Sequence, residues 1–152
     1  MIRIAPFFGK ASYSKCPYVE EGPKGKPAAQ DFQAGTNSEF SDLATGKGAV
    51  PALRYTNSNE KGLNFVKFDG IEAGADGSSV MQIDAKTKLA IWSPSAEESV
   101  LKTLRCLKSS IEQNPGNKVV YDFPSEKVAL QAREFIEVNG FDDIVTTKVR
   151  NP

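Results

Sequence analysis

Ser79-Val80-Met81-Gln82-Ile83-Asp84-Ala85-Lys86 is the stretch on which the fold turns. Its residues alternate with the two-residue period of an extended strand, which puts Val80, Gln82, Asp84 and Lys86 on one face and Met81, Ile83 and Ala85 on the other. Asp84 and Lys86, one residue apart, leave the same face within a few ångströms of each other. Two readings of that pair stand side by side. In one it is an ordinary ion pair on a solvated sheet surface. In the other Asp84 ligates a hard cation such as Mg²⁺, while Lys86 orients or deprotonates a water or neutralises charge developing on a phosphate. The second gains weight from its apolar setting: Phe68 precedes Asp69 and Ile83 precedes Asp84, and polar groups in such a place need a reason.

Upstream, Leu63 to Phe68 is a β-rich run that ends at Asp69 and the flexible Gly70, so Asp69 reaches the same point as Asp84 if the two strands pair. Gly74-Ala75-Asp76-Gly77 is hairpin-loop material, and Lys88 to Trp92 reads as a third strand, giving a β-meander. After Pro94, Ser95 and Glu98 match a capping box, and Val100, Leu104, Leu107 and Ile111 form an apolar stripe that ends before Pro115-Gly116. Val119 to Phe123 reads as a strand. Pro124-Ser125 opens a helix with Val128, Ala132, Phe135 and Ile136 inward, Gly140 caps it, and Ile144 to Val149 makes a last strand. Nearer the N-terminus, 28–44 reads as a helix with Phe32, Phe40 and Leu43 on its apolar side. Thr45 to Lys61 reads as a loop with a short helical turn around Ala52 to Tyr55. Residues 1–27, with four prolines and three glycines, suit an irregular arm or linker. The order α-βββ-αβ-αβ predicts an α+β domain over 28–152, a mixed central sheet flanked by helices.

Composition bounds the chemistry. At 152 residues with 39% hydrophobic content the chain can bury one core, and no window approaches the roughly 18 apolar residues a membrane span needs. Met1 to Lys10 lacks the pattern of an export signal. Cys16 and Cys106 supply neither a disulfide framework nor a cysteine zinc site. The absence of histidine removes His-based zinc sites and Ser-His-Asp or Cys-His catalysis, leaving carboxylates, lysines and hydroxyls to do any chemistry. The balance of 19 basic and 19 acidic residues argues against a general attraction to phosphate backbones, although a bound cation or a local basic patch would offset it.

Asp69-Gly70 followed by Gln82-Ile83-Asp84-Ala85-Lys86 resembles the PD-(D/E)XK restriction-endonuclease-like superfamily. A tighter resemblance covers about Ala52 to Val149. There Arg54-Tyr55-Thr56-Asn57-Ser58-Asn59, Asn64-Phe65-Val66-Lys67-Phe68-Asp69-Gly70, Ile83-Asp84-Ala85-Lys86-Thr87 and the helix after Phe123-Pro124-Ser125 look like restriction-endonuclease-fold toxin domains. Such domains sit at the C-termini of bacterial polymorphic and contact-dependent growth-inhibition toxins. The resemblance implies that Asp69 and Asp84 are metal ligands for Mg²⁺, with Mn²⁺ or Zn²⁺ as alternatives, that Lys86 is the catalytic lysine, and that an acid from the first helix completes the site. Glu39 is the candidate for that acid, in competition with Asp31, Asp42 and Glu60 and with a plain solvated role. Phe68 stands where the superfamily has a proline, which leaves the metal site intact.

Gln82 either lines the cleft or is a polar residue on a half-exposed strand. Lys102, Arg105 and Lys108 lie on one flank of the first long helix, either as a phosphate-binding patch or as a solvated face. Trp92 and the tyrosines are either base-stacking groups or core. The expected function is a metal-dependent nuclease acting on RNA, transfer RNA included, or on DNA. The resemblance further implies delivery as part of a larger toxin into a target-cell cytoplasm and restraint by a cognate immunity protein. The competing expectations are a degenerate binding module of the same fold and a small metal-free ribonuclease.

Overall fold

The computed structural model describes residues 18–20, 49–56 and 64–150. The expected helix over 28–44, with Glu39, Asp31 and Asp42, lies outside them, as does Glu60. The described strands fall into two sheets. The first is antiparallel, in the order β1 (Tyr18–Glu20), β2 (Ala49–Tyr55), β3 (Asn64–Lys67). The expected helical turn around Ala52 to Tyr55 is therefore a strand, and its Ala52, Leu53 and Tyr55 are buried. Part of the expected N-terminal arm, Tyr18–Glu20, is hydrogen-bonded along β2.

The second sheet is mixed, in the order β4 (Gly70–Ala73), β5 (Val80–Ala85), β6 (Asn117–Phe123), β7 (Val145–Val149). β4 and β5 pair antiparallel, and β5, β6 and β7 run parallel. Parallel neighbours need crossovers, and these are α1 (Pro94–Gln113) and α2 (Glu126–Val138). The result is a mixed α+β fold. The helices begin as their sequences dictate. Ser93, rather than Ser95, caps α1 by accepting from the Ala96 N–H at 3.2 Å, with Pro94 in the first turn, where its missing N–H is not needed. Ser125 caps α2, and Gly140, at φ +79, takes the left-handed position that ends it.

Leu104 and Leu107 of α1 and Ala129, Ala132 and Ile136 of α2 join Val119, Tyr121, Phe123 and Val145 in one core cluster, so both helices cover the same face of the mixed sheet. The register pairs Gln82 with Val119 and Asp84 with Tyr121, which places the polar row of β5 on that helix-covered face.

Two further sequence expectations change. The strand antiparallel to β5 is β4 rather than the run ending at Phe68, and the chain passes from one sheet to the other at Phe68-Asp69. Lys88 to Trp92 is not a strand, because both edges of β5 are already taken by β4 and β6. The hairpin therefore joins β4 to β5. Its Asp76 carboxylate accepts from the Ser78 and Ser79 N–H groups and the Ser79 hydroxyl at 2.8–3.0 Å, bonds that pull its pKa down to about 2. Gly77 adopts φ +75 there.

Candidate active site

The site forms where β5 ends. Gly70 pairs with Ile83, and one step further Asp69 stands opposite Asp84, with its N–H bonded to the Ile83 carbonyl at 2.8 Å. The Asp69 carboxylate accepts the Ala85 N–H at 2.8 Å, so it continues the ladder beyond the strand's last backbone pair. The second expected acid is thus delivered to the first by strand pairing, from the bend between the sheets.

Asp84 and Lys86 share the adjacent positions. The Lys86 ammonium lies 3.3 Å from an Asp84 carboxylate oxygen, with side-chain exposures of 28% and 22%. The same ammonium sits 4.9 Å from the centre of the Tyr121 ring, held by the attraction of a cation to the ring face. Tyr121 is fully buried and edge-on to Phe123, so the lysine rests on a fixed floor.

Burial and the neighbouring Asp84 charge push the Asp69 carboxyl from an ordinary 3.8 up to about 8, and a hydrogen bond between the two carboxyl groups adds to the rise. The Ala85 N–H and Lys86 oppose the shift without overcoming it. Asp69 is therefore far easier to protonate than an exposed aspartate. Lys86 is shifted upward, chiefly by the Asp84 charge, so its ammonium holds its proton firmly. Of the roles open to Lys86 from sequence, charge neutralisation fits a firmly protonated ammonium, and removal of a proton from water does not. Burial likewise raises the Tyr121 phenol.

Gln82 does not line an open cleft. It is buried and donates to the Asn117 side chain at 2.9 Å, and its own oxygen has no hydrogen-bond partner among the described residues. Asn117 donates to the Asn114 carbonyl, and Asn114 bridges to the Arg54 and Ser110 carbonyls at 2.8 Å. This buried amide chain ties β5, β6, the end of α1 and β2 beneath the site. No local sequence signal marks it, because its hydrogen bonds join positions 35 and 60 residues apart.

The flank of α1 is not a free basic patch. Arg105 pairs with Glu98 at 2.6 Å and Lys108 with Glu112 at 3.0 Å, both on the solvent side. Lys102 lines a separate groove with Tyr55, Phe65, Val66, Lys67 and Cys106. The groove that does open on Lys86 runs between the segment after β5 and the first half of α1, lined by Lys86, Leu89, Ala90, Trp92, Ser99, Thr103 and Tyr121 among others.

Among the described residues no group of three or more His, Cys, Asp or Glu side chains forms a ready-made metal cluster, and the site holds two carboxylates. No helix is long and apolar enough to cross a membrane among those residues. Comparison with family models, curated proteins and solved structures returns no match to the chain.

Proposed function

We propose that this chain is a metal-dependent nuclease of the PD-(D/E)XK toxin type, hydrolysing phosphodiester bonds in RNA or DNA. The observation that carries the reading is the meeting of Asp69, Asp84 and Lys86 at the end of β5. Two carboxyl groups brought together, one of them made easy to protonate, fit a hard divalent cation: their oxygens are its preferred ligands, and its charge would offset the burial and the Asp84 charge that favour the protonated form of Asp69. Asp69 and Asp84 would hold Mg²⁺ or Mn²⁺, with an acid outside the described residues, Glu39 first among them, completing the set. When bound, such an ion supplies Lewis acidity and a lower pKa for a coordinated water.

The chain's own groups do the rest. Asp69 gives up its proton as the pair becomes fully ionised. Lys86 presents a fixed ammonium to the phosphate oxygens, where negative charge grows in the transition state. Tyr121 and Asp84 keep that ammonium from swinging into solvent.

The test is incubation of the protein with total RNA and with plasmid DNA, each in Mg²⁺, Mn²⁺, Zn²⁺ or excess EDTA. Cleavage that vanishes in EDTA and returns with Mg²⁺ or Mn²⁺ is expected. Full activity in EDTA would overturn the metal mechanism in favour of a metal-free ribonuclease, and no cleavage under any condition would leave a binding module. As a toxin active in the target-cell cytoplasm, the chain should arrest growth when expressed alone. Co-expression of a cognate immunity protein, the product of the neighbouring reading frame, should restore it.

A further inference from the structure

The segment between β5 and α1 carries a feature that the catalytic residues do not explain. Trp92 is 71% exposed, although a tryptophan has a large apolar surface to hide and the core beside it holds Leu89. It lines two grooves at once. One contains Lys86 and Tyr121 with the hydroxyl-bearing Ser99 and Thr103 of α1. The other lies toward α2 and contains Lys88, Glu134 and Phe135. The Lys88 ammonium sits 5.3 Å from the centre of the indole ring. The ring thus stands as a wall between the grooves, with a cation over it and the Lys86 ammonium along the groove it borders.

We propose that Trp92 is a stacking platform for one unpaired nucleobase next to the scissile phosphate, and that the substrate is therefore single-stranded or looped nucleic acid. The inference rests on the nuclease reading of Asp69, Asp84 and Lys86 and adds a substrate class to it. A flat base presents an apolar face to the indole and a polar edge to the hydroxyls of α1, and its flanking phosphates meet Lys86 on one side and Lys88 on the other. A base inside a duplex has both faces covered by its neighbours and offers none to an indole. Stacking also accounts for a neutral chain binding an anion: the affinity is drawn from a π face and two placed ammonium groups rather than from a broad basic surface.

Trp92 is the chain's single tryptophan, so its fluorescence reports this site alone. Wild-type protein in excess EDTA, and Lys86→Ala protein in Mg²⁺, would be titrated with oligo(rA), oligo(dA), the same strands in duplex form and an abasic strand. Quenching by the single strands, and little by the duplexes or the abasic strand, is expected. The stronger of the two single-stranded arms separates RNA from DNA as the preferred source of the base. By anisotropy of a labelled strand, Trp92→Ala should bind roughly 5- to 150-fold more weakly, the span of one base–aromatic stack, while Trp92→Phe recovers most of the affinity. No quenching in either protein would overturn the inference, as would equal binding by Trp92→Ala and wild type. Cleavage by a wild type that shows no quenching would leave the nuclease standing without the platform. Quenching without cleavage in any metal would keep the platform and remove the nuclease.

Discussion

Asp69 and Asp122 flank the same residue of the central strand: Asp69 takes the Ala85 N–H from the β4 side, and Asp122 lies opposite Ala85 in β6. Asp122 is buried and Asp69 half-buried. Asp122, 3% exposed, is met by the Arg150 guanidinium, whose Nε donates to it at 3.0 Å. Asp69 is met by a second carboxyl group, and the nearby ammonium of Lys86 is engaged by Asp84. A buried carboxylate given its own cation is a structural ion pair, here with its second oxygen left without a hydrogen-bond partner among the described residues. A partly buried pair of carboxyl groups sharing one lysine is unfinished, and protonation of Asp69 is one way to relieve it.

The contrast breaks most sharply under substitution of the shared lysine and its partner. Asp84→Ala and Lys86→Ala should each lower cleavage by on the order of 10²- to 10³-fold or more, since Lys86 brings positive charge to the reacting phosphate and Asp84 would hold the ion that does the same. Both proteins should still melt cooperatively, because the opposite face of β5 keeps Ile83 and Ala85 buried. Rates within a few-fold of wild type, measured on the preferred substrate in Mg²⁺, would show that the unfinished pair is merely structural.

Asp122→Ala should do the reverse. Losing a hydrogen bond to a charged group costs about 1.5–3 kcal/mol. The lower half of that range is expected, because the Arg150 side chain is 24% exposed and can turn to water. Chemical denaturation should reveal the loss, while cleavage at a permissive temperature stays within a few-fold of wild type. A variant as stable as wild type but inactive would mean that the two carboxylates had been assigned the wrong way round.

The site was legible because a strand's two-residue period fixes which side chains are neighbours, so the closeness of Asp84 and Lys86 needed no tertiary information. The helices were legible for the same local reason: stripes at Val100, Leu104, Leu107 and at Val128, Ala132, Ile136 match their buried faces. What resisted was everything set by distant partners. Leu89, Ala90, Ile91 and Trp92 have a strand's composition, yet β5, the strand they follow, already has β4 and β6 on its two edges. Ala52 to Tyr55 is short enough to suit a helical turn until β3 pairs with it. The period of the strand leaves Gln82 either a cleft residue or a polar residue on a half-exposed strand, and only Asn117, 35 positions away, makes it a buried link.

A further effect concerns acidity, and it isolates Asp69. Its pKa is raised on folding from 3.8 to about 8, so between those values the native protein holds a proton that the unfolded chain has released. Its contribution to stability is then fully present below about pH 4 and is lost progressively as pH rises to about 8. Asp69→Asn mimics the protonated carboxyl: its amide oxygen can still accept from Ala85 N–H, and its amide nitrogen can still donate to Asp84. Melting temperatures measured from pH 4 to 9 without divalent cations should therefore converge for wild type and variant at the acidic end. Toward pH 8 the variant should become the more stable of the two, although it has lost a proposed metal ligand. Adding Mg²⁺ should raise the wild-type midpoint more at pH 8 than at pH 5.5, because at the lower pH the ion must displace the proton, and it should leave Asp69→Asn nearly unmoved. Parallel curves for the two proteins across that range would mean that Asp69 is ionised throughout and that Lys86 alone offsets both carboxylates. A cation would then find no repulsion to relieve, and the strongest physical reason for placing one there would be gone.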